Sequence, residues 1–111
     1  GASMTAMALD RYPELDPDPG EVIDAEVVVT DDVLVKAFAL GPDAELTPHE
    51  HDDSTNVFHV VEGTVTVIQN GTEETVTAPG VVLHDRGVTH GARNDGDEVA
   101  VLTASLCPMP G

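Results

Sequence analysis

From residue 21 to residue 106 apolar and polar side chains alternate with a period of two, interrupted at short intervals by glycine, proline, asparagine or aspartate. That period places every second side chain on one face of a strand, so each strand must bury a face against a second layer. The stretches 22–30, 33–40, 56–62, 64–69, 73–77, 81–84, 89–93 and 99–106 read as strands. Gly41-Pro42-Asp43, Gly63, Ala78-Pro79-Gly80, Gly87 and Asn94-Asp95-Gly96-Asp97 punctuate them, and Asn70-Gly71 is a strong hairpin signal. No segment carries a convincing 3.6-residue apolar period. Many short, evenly spaced strands predict an all-β sandwich or barrel.

The 111 residues suit one domain with one core. Residues 1–20 read as an N-terminal arm, with Gly1-Ala2-Ser3 ahead of Met4 set aside as an expression scar. Pro13, Pro17 and Pro19 block regular helix or central strand there. The barrel is expected over 21–107, and 108–111 form a short tail. Cys107 is alone, which excludes an intramolecular disulfide, and is expected to pack as a small hydrophobe at the end of the last strand. No apolar run reaches membrane-span length and no signal-peptide pattern is present, so a soluble cytoplasmic protein is expected.

Charge narrows the partners. Four Lys+Arg against 21 Asp+Glu give a net charge of −17, and Lys36 is the only lysine. Nucleic acid is excluded as an expected partner, because neutralising phosphates needs clustered lysine and arginine. Anionic membrane surfaces are disfavoured for the same reason. The 41% hydrophobic content and its clean alternation argue against disorder. The acidity reads instead as a folded surface suited to high salt, where a Debye length of roughly 3 Å at ~1 M screens self-repulsion.

The chemistry concentrates in histidine. His49-Glu50-His51 is an alternating pair, and His90 follows a glycine turn in Gly87-Val88-Thr89-His90. Residues two apart on a strand point the same way, so His49 and His51 can converge, and a folded-back strand can bring His90 to the same point. Three neutral imidazoles aimed at one spot suit a divalent transition metal. The plainer alternative for His49 and His51 is a solvated strand end beside Asp52 and Asp53.

Together these segments resemble the cupin superfamily. Its first motif (Gly, His-x-His, three or four residues, Glu, six residues, Gly) is matched by Gly41, His49-Glu50-His51, Asn56 and Gly63. Its second motif, Pro-x-Gly-x-x-His-x-x-x-Asn, is matched from Asp85 through Gly87 and His90 to Asn94. The resemblance covers about 22–106 and implies a single-domain jelly-roll barrel of short antiparallel strands holding a divalent ion (Fe, Mn, Zn or Ni). Two departures matter. Asn56 stands where the family usually has a metal-binding glutamate, and Asp85 replaces the motif's proline. Asn56 is either a weak neutral ligand or a hydrogen-bonding residue behind the histidines. Cupin dioxygenases with three-histidine sites are known, so the missing glutamate leaves metal binding in place.

Other residues carry two readings each. His84 is a general base, a group supporting the ligands, or a plain surface histidine; Asp85 is a candidate partner at the barrel mouth. Asn56, Phe58 and Val60 share a face expected to be the interior, so Phe58 and Val60 are expected to wall a substrate pocket. His59 then faces outward, as a packed or interface residue. Arg93 either binds a substrate carboxylate or pairs with the abundant acids. Asn94 is expected to close a turn.

Two functions follow. One is a metal-dependent enzyme on a small organic molecule, such as a dioxygenase, isomerase or cyclase, with an aliphatic pocket because only 3% of residues are aromatic. The other is a non-catalytic binding or sensing module with a structural metal, against which stands a site offering three protein ligands rather than four. Open sheet edges predict a homodimer, with the arm as a contributor. Melting temperature and light-scattering mass in one KCl series test both the salt and the assembly expectations. Stability should rise from low millimolar to molar KCl, with a dimer mass in high salt. A salt-independent melting temperature contradicts the first, and a monomer at every concentration contradicts the second.

Overall fold

The computed structural model describes residues 15–110, and the part of the expected arm before residue 15 lies outside them. Nine strands appear in the order β1 (Val22–Val29), β2 (Leu34–Leu40), β3 (Glu45–His49), β4 (Thr55–Glu62), β5 (Thr64–Gln69), β6 (Thr72–Thr77), β7 (Gly80–His84), β8 (His90–Arg93) and β9 (Ala100–Cys107). They form a five-stranded sheet, β1-β2-β9-β4-β7, facing a four-stranded sheet, β3-β8-β5-β6. Every pairing is antiparallel. From β2 onward the chain passes repeatedly from one sheet to the other, which gives the jelly-roll arrangement. Among the described residues no helix is long and apolar enough to cross a membrane.

The alternation decides what lies between the sheets. Phe58 and Val60 of β4, Leu102 and Ala104 of β9 and Leu40 of β2 meet Val65 and Val67 of β5 and Ala92 of β8 in one buried cluster. Burying such side chains removes apolar area from water at about 25 cal/mol per Å². Asn70 and Gly71 have φ of 48° and 82° and make the β5–β6 hairpin, as their residue types predict.

Strand β3 has no counterpart among the strands expected from the sequence, because Thr47-Pro48 breaks its signal. The β3–β8 register slips between Leu46 and His49, and Pro48 sits in that bulge, where no ladder N–H is required. Gly91 lies opposite. A Cβ there would come within 2.6 Å of the Leu46 carbonyl oxygen, so only glycine lets β8 approach the bulge this closely. Cys107, expected to pack, is exposed at the end of β9, because the last position of that strand has no layer over it.

The end of the barrel away from the histidines is tied by Asn94. It is 1% exposed; its Nδ2 donates to the carbonyls of Leu40 and Glu98 at 2.9 and 2.8 Å, and its Oδ1 accepts the Gly96 N–H at 2.9 Å. The expected turn-closing role is thus joined by a link between β2 and the β8–β9 loop. Replacing Asn94 with leucine strands these groups in the interior. The variant is expected to lose about 3 kcal/mol of unfolding free energy in urea titrations; a loss below about 0.5 kcal/mol would show that the network is dispensable.

Candidate metal centre and cavity

His49 and His90 are directly opposed across the β3–β8 ladder. Their ring centroids are 4.7 Å apart, and that of His51 lies 5.1 Å from His49 and 5.6 Å from His90. His51 does not share a strand with His49, contrary to the alternation argument, because β3 ends at His49. A different contact holds it. The His51 carbonyl accepts the Gly87 N–H at 2.9 Å, and Gly87 adopts a φ of 77° that β-carbon-bearing residues resist. The turn preceding His90 therefore also anchors the segment carrying His51.

Two of the rings are fixed in tautomer. Nδ1 of His49 donates to the Thr47 carbonyl, and Nδ1 of His90 to the Val88 carbonyl, each at 2.9 Å. A carbonyl only accepts, so both Nδ1 atoms carry the proton and both Nε2 atoms offer a lone pair. One ligand atom from each of the three histidines lies within 4.8 Å of the others. A common centre is then at most about 2.8 Å from each, and ligation at 2.0–2.1 Å draws the rings inward by less than about 1 Å. The donor set fits a borderline divalent ion.

Asn56 completes the inner side. It is 2% exposed on β4, and its Nδ2 donates to His90 Nε2 at 2.7 Å. That is the lone pair an ion would take. Its Oδ1 is buried without a partner. Rotating the amide by half a turn exchanges the two atoms and turns the oxygen toward the imidazoles, so Asn56 serves as a hydrogen-bonding neighbour or a neutral oxygen donor.

His84 is fully buried, not at the surface. It pairs with Asn56 across β4–β7, stacks on His90 at 4.6 Å and 17°, and meets Phe58 edge-on at 4.5 Å. Gln69 donates to its Nδ1 at 2.9 Å, so Nε2 carries the proton, and that atom has no partner among the described residues. Asp85 is exposed in the turn after β7, its carbonyl accepting the Val88 N–H at 3.1 Å. Neither His84 nor Asp85 lines the cavity over the imidazoles.

A cavity of about 200 Å³ opens over the imidazoles. Leu34, Phe38, Leu46, Phe58 and Leu106 make its apolar wall, and Lys36, His49, His51 and Asn56 supply its polar groups. Phe58 lines this cavity, whereas Val60, one step further along the same face, packs into the core cluster and does not line it. Arg93 lies outside it as well. His90 and Ala92 point inward along β8, so Arg93 points outward, where it grips Glu73 with both terminal nitrogens at 3.1 and 3.0 Å and Asp95 through Nε at 2.7 Å. These bonds raise the arginine's pKa and hold the Glu73 and Asp95 carboxyls below their ordinary values. Lys36, missed by the sequence reading, had one signal available: it is a charged residue at an inward position among Leu34, Phe38 and Leu40.

Residues 37–106 match the Cupin domain family model. No curated protein matches the sequence. Among solved structures, an uncharacterized conserved protein with a double-stranded β-helix domain from Klebsiella pneumoniae is 27% identical, with 87% of this chain and 86% of that one covered and a TM-score of 0.80. TT1209 from Thermus thermophilus is 26% identical over 95% of both chains, with a TM-score of 0.78. A Thermotoga maritima protein described as a predicted oxalate decarboxylase is 21% identical over 81% and 83%, with a TM-score of 0.76, a likeness of fold.

Burial is the largest cause lowering the pKa of His51, His90 and His84, the last to about 4. In the unfolded chain the same groups take up protons near pH 6.5. Below that pH the unfolded state binds more protons, so the metal-free protein loses stability as pH falls from about 6.5 toward 4. His84 alone accounts for up to about 3 kcal/mol of the loss. Urea midpoints of metal-free protein should fall between pH 7 and pH 5, and less steeply in His84→Gln. Equal slopes would contradict the assignment.

Proposed function

Since the chain belongs to the cupin domain family, we propose that it is a metal-dependent enzyme, dioxygenase-, isomerase- or cyclase-like, holding a divalent ion through His49, His51 and His90 and acting on a small organic molecule. The observation that carries this reading is the pair of Nδ1–H bonds to Thr47 and Val88, which commit the Nε2 lone pairs of His49 and His90 to the cluster. Such an ion supplies Lewis-acid or redox chemistry when bound. The chain's own residues do the rest. Three neutral imidazoles leave the ion's double charge uncompensated, which favours an anionic or oxygen-rich ligand. Phe58, Leu46 and Leu106 keep water from the space where that ligand lies. Asn56, the amide in place of the usual carboxylate, adds no charge beside the ion, and its Nδ2 occupies the His90 lone pair only while no ion takes it.

One observation favours the second reading, a non-catalytic binding module: neither His84 nor Asp85 lines the cavity, so among the described residues no proton-transfer group stands in it besides the candidate ligands and Lys36. Turnover separates the two. The expected homodimer has a suitable face, because the outward positions of β4 and β7 near its edge, Val57, His59, Val81 and Leu83, carry no acid in a chain with 21 of them. Val81 and Leu83 are 67% and 55% exposed.

Metal analysis of protein purified without added ions tests the centre. One first-row divalent ion per chain is expected, with iron or manganese and oxygen uptake on a candidate substrate supporting a dioxygenase. His49→Ala with His90→Ala should weaken binding at least 100-fold, on the order of 3 kcal/mol. Asn56→Glu, which adds a negative oxygen donor, should tighten it about tenfold, or roughly 1.4 kcal/mol. Metal content that survives the double alanine variant would remove the site.

A further inference from the structure

Among the described residues Lys36 is the one cation in the cavity wall, and its position is unusual for this chain. It pairs with Ala104 on β9, which pairs with Phe58 on β4, so it faces inward from two strands away. That places its backbone about 10 Å from that of Phe58. The other inward positions of β2 are Leu34, Phe38 and Leu40, all apolar. The ammonium is held at the rim by Asp24 at 2.6 Å and lies 5.3 Å from the centre of the Phe38 ring.

We propose that Lys36 is a specificity-determining residue that binds a carboxylate at the mouth end of the cavity, so that the ligand is a short carboxylic acid carrying a second oxygen-donor group for the metal. The inference rests on the metal-centre reading above. Three observations support it. The polar groups of this cavity stand at two ends, the imidazole cluster with Asn56 beside it and Lys36 at the rim, with Leu34, Phe38, Phe58 and Leu106 between and around them. The ligand therefore has polar ends and an apolar middle. The cavity is also small, at about 200 Å³, below the range of drug-sized sites. Finally, an ion pair with Asp24 at side-chain exposures of 28% and 49% contributes at most about 1 kcal/mol, so it does not account for a lysine on an inward position and is readily exchanged for a ligand carboxylate. With a net charge of −17 the outer surface repels anions, and an anionic ligand is held only where a cation meets it.

Cobalt-loaded protein tests this, since the visible spectrum of the ion reports displacement of its open-position ligand. The probes are the straight-chain dicarboxylates from malonate to adipate and, for each, the monocarboxylate of equal length, at fixed ionic strength. One dicarboxylate length should bind at least tenfold tighter than its monocarboxylate partner. Lys36→Met should abolish that advantage while leaving cobalt affinity and monocarboxylate affinity unchanged, and Lys36→Arg should retain part of it. Asp24→Asn, which frees the ammonium, should increase it. A dicarboxylate advantage that persists in Lys36→Met, or the absence of any advantage in the wild type, overturns the role of Lys36 alone. Failure of the wild type to bind cobalt overturns the metal centre, and this inference with it.

Discussion

His49 and His90 face one another because the β3–β8 ladder slips by a bulge, and every feature of the site depends on that slip. Pro48 needs no ladder partner and Gly91 has no Cβ to strike the Leu46 carbonyl, so the two strands close together at the one point where both residue types coincide. The imidazoles emerge from that junction with Nδ1 bound to local carbonyls. Gly87 then fastens the His51 segment to the turn that leads into β8. The imidazole cluster is thus a product of backbone geometry, and its side chains need little further arrangement.

Charge is distributed with a sharp contrast between outside and inside. All the Asp and Glu side chains among the described residues are exposed, yet the inner shell of the imidazole cluster contains an amide, aromatic rings and aliphatic side chains. Burial lowers the pKa of His51 and His90 and so favours their neutral form, which is the state a metal ligand must have. Asn56 continues that logic by presenting a neutral group where a carboxylate would compensate an ion's charge. Arg93 is spent outside on Glu73 and Asp95, which leaves Lys36 as the cation facing the cavity.

Much of this was legible in the sequence, for physical reasons that differ residue by residue. Period-two alternation located eight strands, and it put Asn56, Phe58 and Val60 on the interior face. Parity is local, so it says which face a side chain takes and nothing about how far along the barrel it sits; Val60 fell in the core for that reason. It also gave no warning that β3 ends at His49, since Thr47-Pro48 breaks the alternation that would have located that strand. His84 keeps three readings, general base, group supporting the ligands or surface residue, until β7 is paired with β4, which buries it under His90. The outward position of Arg93 was available from the same parity that placed His90 inside. Lys36 was available too, as a charge on an apolar stripe.

The central claim is that His49, His51 and His90 bind one ion together. A crystal structure of the metal-loaded protein, with anomalous scattering measured at the absorption edge of the bound element, tests it most directly. The account predicts one peak per chain, coordinated by a nitrogen from each of the three histidines at 2.0–2.1 Å, within the range for such bonds. An ion bound elsewhere, or held by fewer than these three rings, would contradict it.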